Sequence, residues 1–365
     1  MTENKTGLEY PVSMKGLLTL SSGKGASDLH LVCGSPPQIR IVGNIEALDY
    51  PVIRPYQMKK LIFSVLEDWQ QDKLKKKWEL DFSYSIEGVA RFRGNIMRQR
   101  GSYAAAFRVV PYIVPQFDSL GLIPEIKNLC NLARGLVLVT GATGSGKSTT
   151  LAALTDIINK TRCVSIITIE DPIEFLHKHN KSTVRQREIG TDTHSFADGL
   201  KYALRHDPDV ILVGEMRDEE SMAIALTAAE TGHLVFSTLH TQTAPQAISR
   251  IVDAFSNEKK NQIRQQLAGT LKAIISQQLI PSITGEGRVL ALEYMVSIPA
   301  IRNLIREGKD HQLYNSIQTG QNFGMRTMDQ SLARLYKQGK ISYESVYEHC
   351  VEKQEVDRLI NMMYI

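Results

Sequence analysis

Polar and apolar positions change rhythm along the chain. Asp28-Leu29-His30-Leu31-Val32 and Gln38-Ile39-Arg40-Ile41 alternate with period two between Gly and Pro residues, the pattern of half-buried strands. Between 57 and 77 the apolar residues Met58, Leu61, Ile62 and Leu66 fall at helical spacing. That stretch closes on Lys73-Leu74-Lys75-Lys76-Lys77, cations suited to a solvated helix end at the negative pole of its dipole. Residues 79–109 return to strand alternation, so a first mixed α/β unit is expected over 1–110. Pro111, Pro115, Gly121 and Pro124 punctuate a low-charge stretch, and 111–124 reads as a linker.

From 125 to 290 short apolar runs at 136–140, 164–169, 210–213 and 234–237 alternate with helical patterns. Such alternation predicts βαβ units around a mostly parallel sheet. Beyond about 291 the chain is polar and helical in pattern, and a helical C-terminal region is expected over 291–365.

Composition narrows the class. Among 365 residues, 42% are hydrophobic and 22% charged, which suits a globular chain rather than a disordered one. Lys and Arg number 43 against 39 Asp and Glu, a net charge of +4 that is too mild for a dedicated nucleic-acid binder. No apolar run approaches the roughly 18–20 residues of a membrane span. The first ten residues lack the basic and apolar regions of a secretory signal. Cys33, Cys130, Cys163 and Cys350 are widely spread with no C-x-x-C pair. A reduced, cytoplasmic, soluble protein is the expectation.

The strongest chemical signal is Gly141-Ala142-Thr143-Gly144-Ser145-Gly146-Lys147-Ser148, which fits G-x-x-x-x-G-K-[ST] and is followed by Thr149. An apolar strand pattern precedes it and an amphipathic helix with Leu151, Leu154 and Ile158 follows, the context that the motif requires. Glycines let backbone N–H groups turn inward around phosphates, and the helix N-terminus adds a positive dipole. Lys147 supplies charge to the β- and γ-phosphates, and the Ser148 hydroxyl is suited to Mg²⁺.

Two acidic segments follow strand patterns. Val210-Ile211-Leu212-Val213-Gly214-Glu215 ends in a carboxylate at the edge where parallel sheets bind ligands, so Glu215 is expected to orient water and help hold the Mg²⁺ shell. Asp218, with Glu219 and Glu220 behind it, starts the next helix, and Gly232 ends it. Thr168-Ile169-Glu170-Asp171-Pro172-Ile173-Glu174 places three carboxylates around a proline turn. Glu170 and Glu174 suit Mg²⁺-water binding and general-base work beside a phosphate loop. His233 and His240 sit at opposite ends of a strand pattern, with His240 at the carboxyl end where a γ-phosphate is sensed. His177 and His179 read as a solvated loop rather than a metal site.

Arg91, Arg93, Arg98, Arg100 and Arg108 fall close together. Arg91 and Arg93 share one strand face, and Arg98 and Arg100 are expected to share another. A solvated face, arginines delivered to a nucleotide from another domain or subunit, and a basic nucleic-acid surface are the three readings. The scarcity of aromatics among them weakens the last.

In order and spacing, 141–148, 168–174, 209–215 and 232–240 resemble the Walker A, Asp, Walker B and His boxes of the secretion ATPases of the type II and type IV pilus superfamily. The resemblance runs from about residue 27 to the end. Ser27-Asp28-Leu29-His30-Leu31, Pro36-Pro37 and Arg40 resemble that family's N-terminal PAS-like domain. Ala300-Ile301-Arg302-Asn303-Leu304-Ile305 matches the A-I-R-N-L-I sequence of the family's pilus-retraction branch; by pattern alone it is an amphipathic helix. The tetracysteine zinc site typical of the extension and type II secretion branches has no counterpart here.

The resemblance implies an α/β fold: a RecA-like P-loop NTPase core, an N-terminal PAS-like α/β domain and a helical C-terminal region. It implies a homohexamer that hydrolyses ATP with Mg²⁺ to drive pilus retraction from the cytoplasmic side of the inner membrane. Its partners would be an inner-membrane platform protein and the pilin machinery, with peripheral membrane association through the platform only and no nucleic acid. Lys147, Ser148, Glu174, Glu215 and His240 match family motif positions. Arg93 and Arg108 are carried as the arginines reaching phosphate, and Ser148, Glu170 and Glu215 as the metal set. A pilus-extension or type II secretion ATPase, a nucleic-acid translocase and a non-hydrolysing nucleotide scaffold are the alternatives.

Overall fold

The computed structural model describes residues 13–41, 43–110, 113–285 and 287–361; expectations placed on 1–12, Pro111 and 362–365 lie outside the described residues. The chain divides into two units, Met1–Ile113 with Glu174–Leu176, and Val114–Ile173 with His177–Ile365.

In the first unit the period-two segments form β1 (Asp28–Val32), β2 (Gln38–Ile41), β3 (Asn44–Ala47), β4 (Glu79–Ile86), β5 (Ala90–Gln99) and β6 (Ser102–Val110). They make one antiparallel sheet in the order β3-β2-β1-β6-β5-β4. Alternation sends Leu29, Leu31, Ile39, Phe82, Phe92, Ile96 and Phe107 into a core shared with Met14, Leu17, Met58, Ile62 and Leu74 from helices. The helical stretch expected over 57–77 is two helices, Pro55–Phe63 and Asp68–Lys77. The break is local: the Gln70 side chain accepts the Glu67 N–H at 3.0 Å, so a new N-terminus forms there. Arg98 and Arg100 do not share a strand face. Arg100 and Gly101, at φ 49° and 78°, form the two-residue turn between β5 and β6. A helix at Met14–Gly23, capped by the Ser13 hydroxyl, had no counterpart in the sequence reading.

The second unit is built on β7 (Gly135–Thr140), β8 (Ser165–Glu170), β9 (Thr183–Glu188), β10 (Val210–Val213), β11 (Leu234–Leu239), β12 (Leu271–Pro281) and β13 (Arg288–Val296). Their order is β13-β12-β7-β11-β10-β8-β9. Every pair is parallel except β12 with β13. The central strands β7, β10 and β11 are buried along their whole length, as the unbroken apolar runs require. Because the central strands are parallel, the segments that follow β7, β8, β10 and β11 all leave from one edge of the sheet. β13 carries the sheet past residue 290, where the helical region was expected to begin. The helices Pro299–Glu307, Leu313–Thr319, Met328–Lys337, Tyr343–His349 and Lys353–Asn361 follow.

Helix Pro299–Glu307 contains the A-I-R-N-L-I sequence. Ile301 and Ile305 are buried and Leu304 packs against the same core, so the expected apolar stripe is real. A charge pair fixes the end of this helix. Arg264 grips Asp310 with two bonds at 2.7 and 2.9 Å and donates to the Ile305 carbonyl at 3.2 Å, while the Ser249 hydroxyl also donates to Asp310. Both charged side chains are mostly buried, 17% and 15% exposed. Removing one partner strands the other charge, so Arg264→Ala should cost on the order of 3 kcal/mol in a denaturant titration. The Arg264→Ala, Asp310→Ala double variant should cost less than the sum; strict additivity would mean that the pair is not coupled.

Candidate active site

The phosphate loop leaves β7 through Gly141, at φ 144°. A Cβ at this position would lie 2.5 Å from Ser145 Oγ and closer still to the Gln277 carbonyl oxygen of β12, so only glycine fits. Gly144 and Gly146 also take positive φ, at 79° and 89°, and Gly146 caps helix Lys147–Thr161. Ala142, Thr143 and Gly144 are exposed at the tip, with Ser148 and Thr149 half-exposed on the first helical turn. Lys147 is 8% exposed and donates to the Gly141 and Ala142 carbonyls at 2.8 and 2.9 Å. Ser145 Oγ is buried without a hydrogen-bond partner. An orphaned hydroxyl, a lysine and inward glycines form an anion cradle.

The other side of the loop is open. A cavity of about 180 Å³ is lined by Ala142, Thr143, Gly144 and Ser145 together with Gln242, Gln277, Gln278, Leu279, Arg288 and His349. The Gln277 amide also exchanges hydrogen bonds with the Thr150 hydroxyl, at 2.8 and 3.2 Å, tying the loop's helix to β12. Sequence reading missed Gln242, Gln277, Arg288 and His349, which come from a loop, two strands and a helix and share no motif.

At the ends of the neighbouring strands the structure brings Glu215 and His240 together. Glu215, just beyond β10, lies 3.4 Å from His240 Nε2, just beyond β11. The Thr238 hydroxyl donates to the Gly214 carbonyl at 2.5 Å and the Met216 N–H to the Thr238 carbonyl at 3.3 Å, which pins the two strand ends in register. On its other oxygen Glu215 accepts from Arg217 Nε at 2.8 Å, and the Arg217 guanidinium lies 3.8 Å from Asp171. Its bond to Glu215 holds Arg217 still more firmly protonated than usual. Arg217 was missed as well, although its place two residues after Glu215 was a signal.

The remaining candidates are placed differently. Glu170 ends β8 and accepts from the Thr168 hydroxyl at 2.6 Å and Gln186 Nε2 at 3.1 Å. Glu174 is exposed and belongs with Phe175 and Leu176 to the first unit. Arg93 and Arg108 are cross-strand neighbours there, and Arg108 Nε donates to Asp28 at 2.9 Å. His233 is structural: its Nδ1 meets the Ala228 carbonyl at 2.9 Å. His179 Nδ1 accepts the Val184 N–H, and burial pushes the His177 pKa down.

A phosphate loop on a parallel sheet, with a carboxylate and a histidine beyond the next strands, defines a RecA-like P-loop nucleotidase. The chain belongs to the type II/IV secretion system protein family, whose model matches residues 114–361. It is 50% identical over 332 residues, 91% of this chain and 96% of the other, to the type IV pilus retraction ATPase PilT of Pseudomonas aeruginosa. It is 45% identical over 333 residues to a twitching motility protein of Neisseria gonorrhoeae, covering 91% of this chain and 89% of that one. A crystal structure of the pilus retraction motor PilT with bound ADP superposes with a TM-score of 0.89 at 50% identity, covering 95% of this chain and 99% of that chain.

Gly141→Ala should separate the loop from β12 while leaving the sheet intact. Binding of a fluorescent ATP analogue should fall at least about tenfold at unchanged secondary structure; normal affinity would show that the loop does not need this approach.

Proposed function

We infer that this chain is an ATP-hydrolysing motor that powers type IV pilus retraction, working as a homohexamer. The carrying observation is the Glu215–His240 pair beside a complete phosphate loop, in a chain half identical over nine-tenths of its length to a retraction ATPase. The loop N–H groups and Lys147 bind and neutralise the phosphates of ATP. Glu215 orients the attacking water, and His240, in contact with it, reports whether a γ-phosphate is present.

Mg²⁺ fits the donor set at this edge: a hydroxyl and carboxylates are the hard oxygen ligands it takes, and it keeps several waters. Ser148 would hold it, with Glu215 and Glu170 through its water shell. When bound, it would neutralise charge on the phosphate oxygens. Glu174 is proposed as an alternative base, and Arg93 and Arg108 as phosphate partners. In the hexamer those arginines would act within one subunit or across to the next. Changes in those contacts between ATP and ADP states drive the motor. The described residues contain no helix long and apolar enough to cross a membrane. The chain would work at the cytoplasmic base of the pilus machine, docked on an inner-membrane platform protein, and withdraw pilin subunits from the fibre.

Glu215→Gln should lower kcat about 10²–10⁴-fold with ATP binding retained, the loss expected when a positioned base is removed. Unchanged turnover would dismiss its role. Cells lacking the gene should keep or gain surface pili and lose twitching; loss of pili would instead indicate an extension motor. Arg302→Ala is expected to abolish retraction while leaving ATP turnover within about twofold. The side chain's one hydrogen bond, Nε to the Ser297 carbonyl at 2.9 Å, is remote from the phosphate loop in sequence and lies outside the site described.

A further inference from the structure

The core of the second unit holds a carboxylate that the hydrolytic chemistry does not use. Glu293 interrupts the apolar run of β13 and is 0% exposed. Its Oε1 accepts the Ala244 amide N–H at 2.7 Å, and its Oε2 is buried without a hydrogen-bond partner. Among the described residues no cation pairs with it. An unneutralised carboxylate at such a place needs a reason, since an apolar residue would pack there without the cost of dehydration.

One helix beginning is bonded to this side chain and a second is bonded to its strand. Ala244 opens helix Ala244–Asp253, capped by Thr243 and immediately preceded by the segment carrying His240 and Gln242. Met328 opens helix Met328–Lys337, capped by Thr327, and the strand carrying Glu293 is tied to its start by Tyr294 and Arg326, whose backbones exchange hydrogen bonds at 2.9 and 3.1 Å. The next residue, Asp329, is also fully buried. It accepts from the Tyr314 hydroxyl at 2.8 Å and from the Val351 and Glu352 amides at 2.7 and 3.0 Å. Helix Leu313–Thr319 and the residues leading into helix Lys353–Asn361 are thereby strung on the first turn of helix Met328–Lys337.

We propose that Glu293 is a positioning residue for ATP hydrolysis, tying the His240–Gln242 segment to β13 through the Ala244 amide, and so to the C-terminal helices through the Tyr294–Arg326 backbone bonds next to it. The proposal rests on the hydrolytic reading above and names the mechanical link within it. By fixing Ala244, Glu293 sets how His240 meets Glu215 and how Gln242 meets the phosphate loop. Through the Tyr294–Arg326 bonds β13 passes any displacement of that segment to helix Met328–Lys337.

The charge state of Glu293 gives the link a signature. Burial pushes its pKa up to about 7, with Asp329 adding to the rise and the bond from the Ala244 amide opposing it. It is faced by Ser276 from β12, by the Ala244 amide from helix Ala244–Asp253, and by Asp329 from helix Met328–Lys337. Asp329 is the one titratable group among these. The ionised carboxylate is the stronger acceptor for the Ala244 N–H; protonation weakens that bond and turns one oxygen into a donor. Turnover should therefore rise with pH through about 7. Stability moves the other way. A pKa raised from 4.5 means that the native state holds the proton longer, so this group's contribution to stability is full below 4.5 and is lost as pH climbs through about 7. Opposite slopes distinguish positioning from mere packing.

The test uses the full-length chain, with Glu293→Gln and Ala244→Pro. The first keeps the shape but not the charge. The second removes the N–H at the first helical position, where proline is accommodated. Both should fold, with KM for ATP within about twofold of wild type. Both should lose about ten- to a hundredfold in kcat, the scale of a small misplacement, and lack the wild-type rise in kcat across pH 6–8. Hydrogen exchange should show a non-hydrolysable ATP analogue altering amides of 328–337 in wild type but not in Glu293→Gln. Folded variants with wild-type kcat and pH profile, or exchange at 328–337 that still responds in Glu293→Gln, would overturn the proposal. Wild-type protein that binds ATP without hydrolysing it would overturn the hydrolytic reading instead.

Discussion

The nucleotide end of the second unit depends on how closely two backbones pass at Gly141. β7 lies between β11 and β12, and the chain leaves it directly against the Gln277 carbonyl. The same residue of β12 reaches forward with its side-chain amide to hold Thr150. One strand position thus anchors both ends of the phosphate loop, the first by contact and the second by hydrogen bonds. What lies between is a short backbone arc with fixed ends, which is why its N–H groups can be aimed without side chains to aim them.

Parallel pairing does the rest of the assembly. Glu215 and His240 are separated by a helix and a strand in sequence, yet they meet because β10 and β11 run in register side by side. Arg217 then bridges the ends of β10 and β8 by touching both Glu215 and Asp171. The site is a set of strand ends cross-linked by polar side chains, and its geometry is inherited from the register of the sheet.

Legibility from sequence followed the range of the interactions. The phosphate loop, the carboxylate after 210–213 and the strand-and-helix alternation were readable because each is a local pattern with a local cause. The break between Phe63 and Asp68 was not: its signal is a single Gln70 side chain folding back on Glu67, against an apolar spacing that runs on almost unchanged. The turn at Arg100-Gly101 likewise defeated a strand-face argument, because the period of two ends where φ turns positive. Arg288 and His349 reach the loop's cavity only through the packing of β13 and of helix Tyr343–His349, and no spacing rule connects them to residue 141. Glu293 did leave a trace, a lone acid inside an apolar strand, but its partner amide belongs to a residue 49 positions away, beyond what a pattern of neighbours conveys.

The setting of Lys147 bears on what the loop selects. Its ammonium is largely out of water and coordinated by the Gly141 and Ala142 carbonyls, much as an ionophore wraps a cation in neutral oxygens. A phosphate oxygen that takes the lysine therefore competes with these carbonyls more than with bulk hydration. The exchange is decided by the net charge that the newcomer brings. Such a loop grades its guests by valence first, favouring a polyphosphate over a singly charged anion of the same shape before any contact with base or sugar is made.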